Sequence, residues 1–182
     1  MNRSPSKYSF VEYSPHWPQA FAEEADRWRN LLGEELIAVH HIGSTSVVGL
    51  AAKPIIDLLP VVRELAKVDD IIARIEQHSY KAWGEYGIPG RRYFTQDQGE
   101  YRTHNIHLFQ QGSPEITRHL AFCAYLRTHD EIRREYEALK RRVYTEHPED
   151  ISAYSQGKND WIKRVEIVAL EWFRSQGEAA AK

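Results

Sequence analysis

The chain has 182 residues, 42% of them apolar and 27% charged, with a formal net charge of −2. That balance excludes a disordered chain and a general nucleic-acid binder, and no apolar run approaches the roughly 20 residues a membrane-spanning helix needs. A single cysteine, Cys123, excludes an intramolecular disulfide and a cysteine zinc cluster, and the opening MNRSPSKYSF lacks the apolar stretch of a secretory signal, so a cytoplasmic protein of one domain is expected.

Residues 1–7 are polar and read as loose, and Tyr8 to Tyr13 reads as a short strand. Ser14-Pro15 opens a helix whose apolar stripe is Trp17, Phe21, Ala25, Trp28 and Leu32, closed by Gly33. Leu36 to Ile42 is the first central strand and Ile55 to Leu59 the second. Pro54 suits a strand start, and Pro60 removes a ladder donor, so the second strand should be short or at an edge there. Glu64 to His78 has helical periodicity, with Leu65, Val68, Ile71, Ile72 and Ile75 inward.

Tyr80 to Tyr86, Arg92 to Gln96 and Tyr101 to Phe109 read as three strands joined by Gly87-Ile88-Pro89-Gly90 and Asp97-Gln98-Gly99-Glu100, two consecutive hairpins. The remainder is helical: Ser113 to about Thr128, Asp130 to His147, and Glu149 to Phe173 with an interruption at Gly157. In the last, Trp161, Val165, Val168 and Trp172 form a core stripe, and a small polar tail comes after Gly177. The order predicts an α+β fold, a mixed sheet over residues 8–110 with helices on one face and a C-terminal helical part over 113–175.

The stretch from His41 to Val62 carries the most chemistry. Gly43 permits a tight turn, Ser44 and Thr45 can cap the short helical turn after it and offer hydroxyls and amides to an anion, and Lys53 adds a charge. Asp57 stands in an apolar strand with Ile55 and Leu59 on its face; an ionised carboxylate there needs a metal, an amine or a basic side chain as partner. Asn105 and His107 share one face of a later strand, whereas His104 faces the other way, which argues against a histidine-triad site. Arg91, Arg92 and Arg102 flank the hairpin and suit phosphate, or else make surface ion pairs. Lys140, Arg141 and Arg142 read as a solvated helical face, while Lys158, after the break at Gly157, is placed to reach a site. No P-loop and no Ser-His-Asp arrangement is legible.

The Gly43-Ser44 turn with an acid-bearing strand after it resembles the nucleotidyltransferase superfamily. More narrowly, the chain resembles the GrpB family, also called UPF0157, over roughly residues 8 to 175. The likeness is carried by Tyr13-Ser14-Pro15-His16-Trp17, His41-Ile42-Gly43-Ser44-Thr45, Gly49-Leu50-Ala51-Ala52-Lys53-Pro54-Ile55-Ile56-Asp57, Thr103-His104-Asn105-Ile106-His107-Leu108 and Tyr136-Glu137-Ala138-Leu139-Lys140. The resemblance implies a nucleotidyltransferase-like fold with Asp57 and His107 as catalytic and metal-ligating residues, and a divalent ion (Mg, Mn or Zn) bound together with nucleotide. Phosphate contacts are expected from Gly43, Ser44, Thr45, Lys53, Arg92, Arg102, Asn105 and Lys158. The superfamily pair of acids is not reproduced: residues 55 and 59 are apolar. Three functions stand as expectations: a nucleotidyltransferase acting on a nucleotide or phosphorylated metabolite, a non-catalytic sensor of such a ligand, or an accessory domain linked to coenzyme A biosynthesis, since relatives are fused to dephospho-CoA kinase.

Overall fold

A computed structural model describes residues 8–180; the expectation for residues 1–7 lies outside them. In chain order the elements are α1 (Trp17–Leu32), β1 (Leu36–Ile42), β2 (Ile56–Val62), α2 (Leu65–Asp69), α3 (Ile72–Gln77), β3 (Tyr80–Ala82), β4 (Arg91–Gln98), β5 (Tyr101–Gln110), α4 (Pro114–Thr128), α5 (Asp130–Glu146), α6 (Ile151–Gln156) and α7 (Asn159–Ala180). The five strands form one mixed sheet in the order β1-β2-β5-β4-β3. All neighbours are antiparallel except β2 and β5, which run parallel with Asp57 opposite Asn105.

Strand alternation divides the sheet into two faces with different covers. Ile56, Leu58, Val62, Phe94, Ile106 and Leu108 point to one face and pack with Trp28, Leu31, Val68 and Ile75 of α1–α3. Ile42, Leu59, Val61 and Phe109 point to the other and pack with Cys123, Ile116 and Leu120 of α4. Helices α1–α3 thus cover one face and α4 of the C-terminal part the other, because both faces of the central strands are apolar and each must be buried. A third cluster joins Leu126 of α4, Tyr136 of α5 and Trp161, Val165 and Ala169 of α7 to Val47 and Leu50.

Several expected elements change. The segment Tyr8 to Tyr13 contributes only a bridge, Val11 to Ala52. β2 continues through Pro60 to Val62 as an interior strand; Pro60 pairs with Val39, and the parallel register to β5 skips Leu59 and Pro60 and resumes at Val61. The helix over 64–78 is split at Asp70 and Ile71, although the five inward residues do pack on the core. β3 ends at Ala82. In α7 the stripe runs through Ala169, while Val168 is 46% exposed. Among the described residues no helix is long and apolar enough to cross a membrane.

Candidate functional site

The Gly43–Ser46 turn leaves β1 and folds back against β2. Gly43 has φ +69°, and a β-carbon there would lie 2.4 Å from Asp57 Oδ2. Glycine is thus needed twice, for the backbone angle and for the close approach of the carboxylate. The serine and threonine do not cap the turn as expected. Ser46 Oγ instead donates to the Gly43 carbonyl at 2.8 Å, and Arg127 of α4 clamps Ser46 through its hydroxyl at 2.9 Å and its carbonyl at 3.2 Å. Thr45 is buried, accepting from His41 at 3.0 Å and facing the Ile55 carbonyl, so its hydroxyl is structural. Burial pushes the His41 pKa down to about 4, which keeps the ring neutral against Phe21.

Asp57 and His107, expected to meet, do so: His107 Nε2 lies 3.9 Å from Asp57 Oδ1. Asn105 Nδ2 donates to the same oxygen at 2.8 Å, and its own Oδ1 accepts from Tyr93 at 2.9 Å and Arg102 at 3.2 Å. Burial would raise the Asp57 pKa, but His107, Asn105 and the Lys53 charge outweigh it and hold the carboxylate below its ordinary value. Arg91 Nη1 sits 3.1 Å from His107 Nδ1. A guanidinium only donates, so Nδ1 must accept, and the ring N–H then sits on Nε2, towards Asp57. His107 turns that N–H towards the carboxylate, at a distance longer than a direct hydrogen bond.

This pattern fits a divalent ion poorly. Asp57 Oδ1 already receives Asn105, His107 has no lone pair facing the carboxylate, and no group of three or more His, Cys, Asp or Glu among the described residues could hold a metal. Hard cations such as Mg need several oxygen ligands in a defined geometry.

The lysines are the larger feature. Lys140, read from sequence as solvated, is 1% exposed. Its ammonium donates to Ser44 Oγ at 3.1 Å and to the Ala51 carbonyl at 2.5 Å, and it faces the Tyr136 ring at 4.6 Å. Burial, with the charge of Lys158, lowers its pKa to about 7. Lys158 comes directly after Gly157, where a β-carbon would lie 2.7 Å from Val143 of α5; this close approach brings the α6–α7 corner against the helix that carries Lys140. Lys158 and Lys53 share the Tyr154 ring, at 5.2 and 5.1 Å from its centroid. Burial and the neighbouring Lys53 charge take Lys158 down to about 8, with Asp57 opposing. Burial likewise lowers Lys53, against the pull of Asp57. None of the three has a carboxylate within ion-pairing distance among the described residues.

The remaining expected residues divide. Lys53 and Arg102 line one cavity of about 190 Å³, with Tyr8 and Tyr101 in its wall. Arg102 is also held by Asp97 and Asn105. Arg92 stands apart: it makes a two-pronged pair with Asp69 at 2.5 and 2.7 Å, on the sheet face opposite Asp57, so its place is structural. Lys140 escapes a sequence reading because its helix is so highly charged. The available signal is its spacing, four residues after Tyr136 and three before Val143, both buried.

A model of the GrpB protein family matches residues 7–167. The UPF0157 protein YqkA of Bacillus subtilis is 44% identical over 173 residues, 95% of this chain and 50% of that protein, so the chain spans half the length of this relative. A dephospho-CoA kinase of Mycolicibacterium paratuberculosis is 26% identical over 193 residues, 92% of this chain and 47% of the kinase. The crystal structure of the conserved protein GrpB from Enterococcus faecalis superposes with a TM-score of 0.86 at 42% identity, covering 91% of this chain and 99% of that one. Cid1 in complex with its short product ApU matches with a TM-score of 0.51 at 12% identity, over 81% of this chain and 48% of Cid1, a likeness of nucleotidyltransferase fold alone. With the family model spanning most of its length, the chain belongs to the GrpB family.

Proposed function

We propose that the crevice between the Gly43–Ser46 turn, Asp57 and the α5–α7 lysines binds the phosphates of a nucleotide or phosphorylated metabolite. The observation that carries this is the convergence of Lys140, buried, and Lys53 and Lys158, half-buried, around Ser44 and Asp57, with no paired carboxylate among the described residues. Buried ammonium groups that repel one another are costly until an anion joins them. Ser44, already hydrogen-bonded to Lys140, adds a hydroxyl, and the cavity beside Lys53 and Arg102 offers room for the rest of the ligand.

A panel of nucleotides and phosphorylated metabolites screened by thermal shift tests this reading. A ligand present at 100 times its dissociation constant adds about 2.7 kcal/mol of stability. A panel in which no phosphorylated compound raises the melting temperature counts against the reading.

Nucleotidyl transfer is the second reading, favoured by the fold shared with Cid1 and by an acid directly behind a Gly-Ser turn. It is tested by release of pyrophosphate from nucleoside triphosphates. An accessory role beside a dephospho-CoA kinase rests on the similarity to a kinase that is twice as long as the matched region.

A further inference from the structure

A nucleotidyltransferase fold implies divalent ions at its acids, yet here the positive charge comes from the protein. We propose that the crevice takes a ligand carrying two or more linked phosphates without a divalent cation, the ammonium groups of Lys53, Lys140 and Lys158 neutralising the phosphate oxygens directly. The inference rests on the reading of the crevice as a phosphate site and goes beyond it by assigning the charge partner.

Three observations support it. Among the described residues Asp57 is the one carboxylate whose charge acts on both Lys53 and Lys158, and its Oδ1 is occupied by Asn105. His107 presents an N–H rather than a lone pair to that carboxylate, because Arg91 donates to its other nitrogen. A metal between them would have to displace a proton that the Arg91 contact holds in place. The lysines, in contrast, come from three separate parts of the chain: the loop before β2, α5, and the α6–α7 corner. Lys140 Nζ is already anchored by Ser44 and Ala51, and Lys53 and Lys158 both rest against one tyrosine ring. Glu137, the acid whose charge acts on Lys140, is engaged by Arg141 and the Ala51 amide. With Glu137 shared with Arg141, Asp57 and Glu137 leave the three ammonium groups with an excess of positive charge that suits more than one phosphate.

The sign of the magnesium effect separates this from metal-assisted binding. Magnesium and the lysines compete for the same phosphate oxygens, so adding magnesium should weaken the binding of inorganic tripolyphosphate, whereas a site that uses the metal binds more tightly when it is added. Calorimetry of the full chain with tripolyphosphate at neutral pH, in excess EDTA and then in excess magnesium, reads this directly. Binding in EDTA that magnesium weakens is the expected result. Binding that appears only with magnesium overturns the inference and leaves the phosphate site standing; no binding in either condition overturns both. Lys140→Met and Lys158→Met, confirmed as folded by their melting transitions, should each bind tripolyphosphate in EDTA at least about tenfold more weakly, about 1.4 kcal/mol. Wild-type affinity in both variants also overturns it.

Discussion

Lys140 Nζ donates to Ser44 Oγ at 3.1 Å, joining α5 to the turn after β1 across 96 residues of sequence. This bond makes the crevice a joint product of the sheet and the C-terminal helices: the turn alone offers hydroxyls and amides, and the helices bring the charge. The same geometry places the ammonium inside, where it meets the Tyr136 ring and the Ala51 carbonyl rather than water.

Gly43→Ala should damage both fold and site. Its φ of +69° is unfavourable for any residue with a β-carbon, and that carbon would lie 2.4 Å from Asp57 Oδ2. Strain of this kind costs ~1–3 kcal/mol. Urea unfolding should show that loss, and tripolyphosphate binding should weaken because the turn and the carboxylate must separate. A variant with wild-type stability would mean that the turn relaxes without cost.

The lysines give the protein an unusual response to alkali. Lys140 is lowered to about 7 by burial and the Lys158 charge, and Lys158 to about 8 by burial and the Lys53 charge, against 10.5 for the free side chain. Between those folded values and 10.5 the unfolded chain holds more protons than the native one, and stability rises with pH wherever that is so. Wild-type stability should therefore gain from these groups as pH climbs from about 7 towards 10.5, and Lys140→Met should flatten the rise. Affinity for tripolyphosphate should move the opposite way, falling over the same range as the ammonium groups lose protons. Melting curves and calorimetry from about pH 6.5 to about pH 10 check both slopes.

Much of this architecture is legible in the sequence because its signals are local. The limits of β1 and α4, the stripe Trp17, Ala25, Trp28 and Leu32, and the shared face of Asn105 and His107 can be read from period and capping. Asp57 and His107 can be brought together on paper because strand alternation fixes which residues share a face. The features that escape are those that tertiary packing alone decides. Pro60 reads as the mark of a short or edge strand, yet β2 runs on through it because β5 keeps its register beyond it and β1 still pairs there across a bulge between Leu36 and Ala38. Lys140 sits in a run of charges and is nevertheless buried, since α5 presents Tyr136, Lys140 and Val143 to the core. Arg92 and Arg91 are adjacent in sequence but emerge on opposite faces of β4, so only Arg91 reaches His107.

Arg92→Ala serves as the contrasting case. Arg92 pairs with Asp69 in a partly exposed ion pair, and its pKa is raised and that of Asp69 lowered chiefly by their hydrogen bonds. Partly exposed pairs contribute about 0.2–1 kcal/mol. The variant should lose no more than about that much in a denaturant titration and should bind tripolyphosphate like the wild type. Loss of binding would place Arg92 in the site after all.

Asp57→Asn separates the remaining readings most sharply. The folded environment favours the ionised carboxylate, through His107, Asn105 and Lys53 acting against the cost of burial. A carboxyl with a depressed pKa stabilises the fold above its unfolded value of 3.8 and loses that contribution as pH falls through its lower folded value. The asparagine variant should thus be modestly less stable near neutrality, and the difference from wild type should close in acid. Asparagine also removes a negative charge that acts on both Lys53 and Lys158. If those ammonium groups receive the phosphates unaided, Asp57→Asn should bind tripolyphosphate in EDTA at least as tightly as wild type, with less repulsion of the anion. If the carboxylate instead works through a metal, the substitution should abolish magnesium-dependent binding and pyrophosphate release from nucleoside triphosphates. Calorimetry in EDTA and in magnesium, set beside the pyrophosphate assay on the same two proteins, distinguishes an acid that tunes a lysine pocket from one that holds an ion.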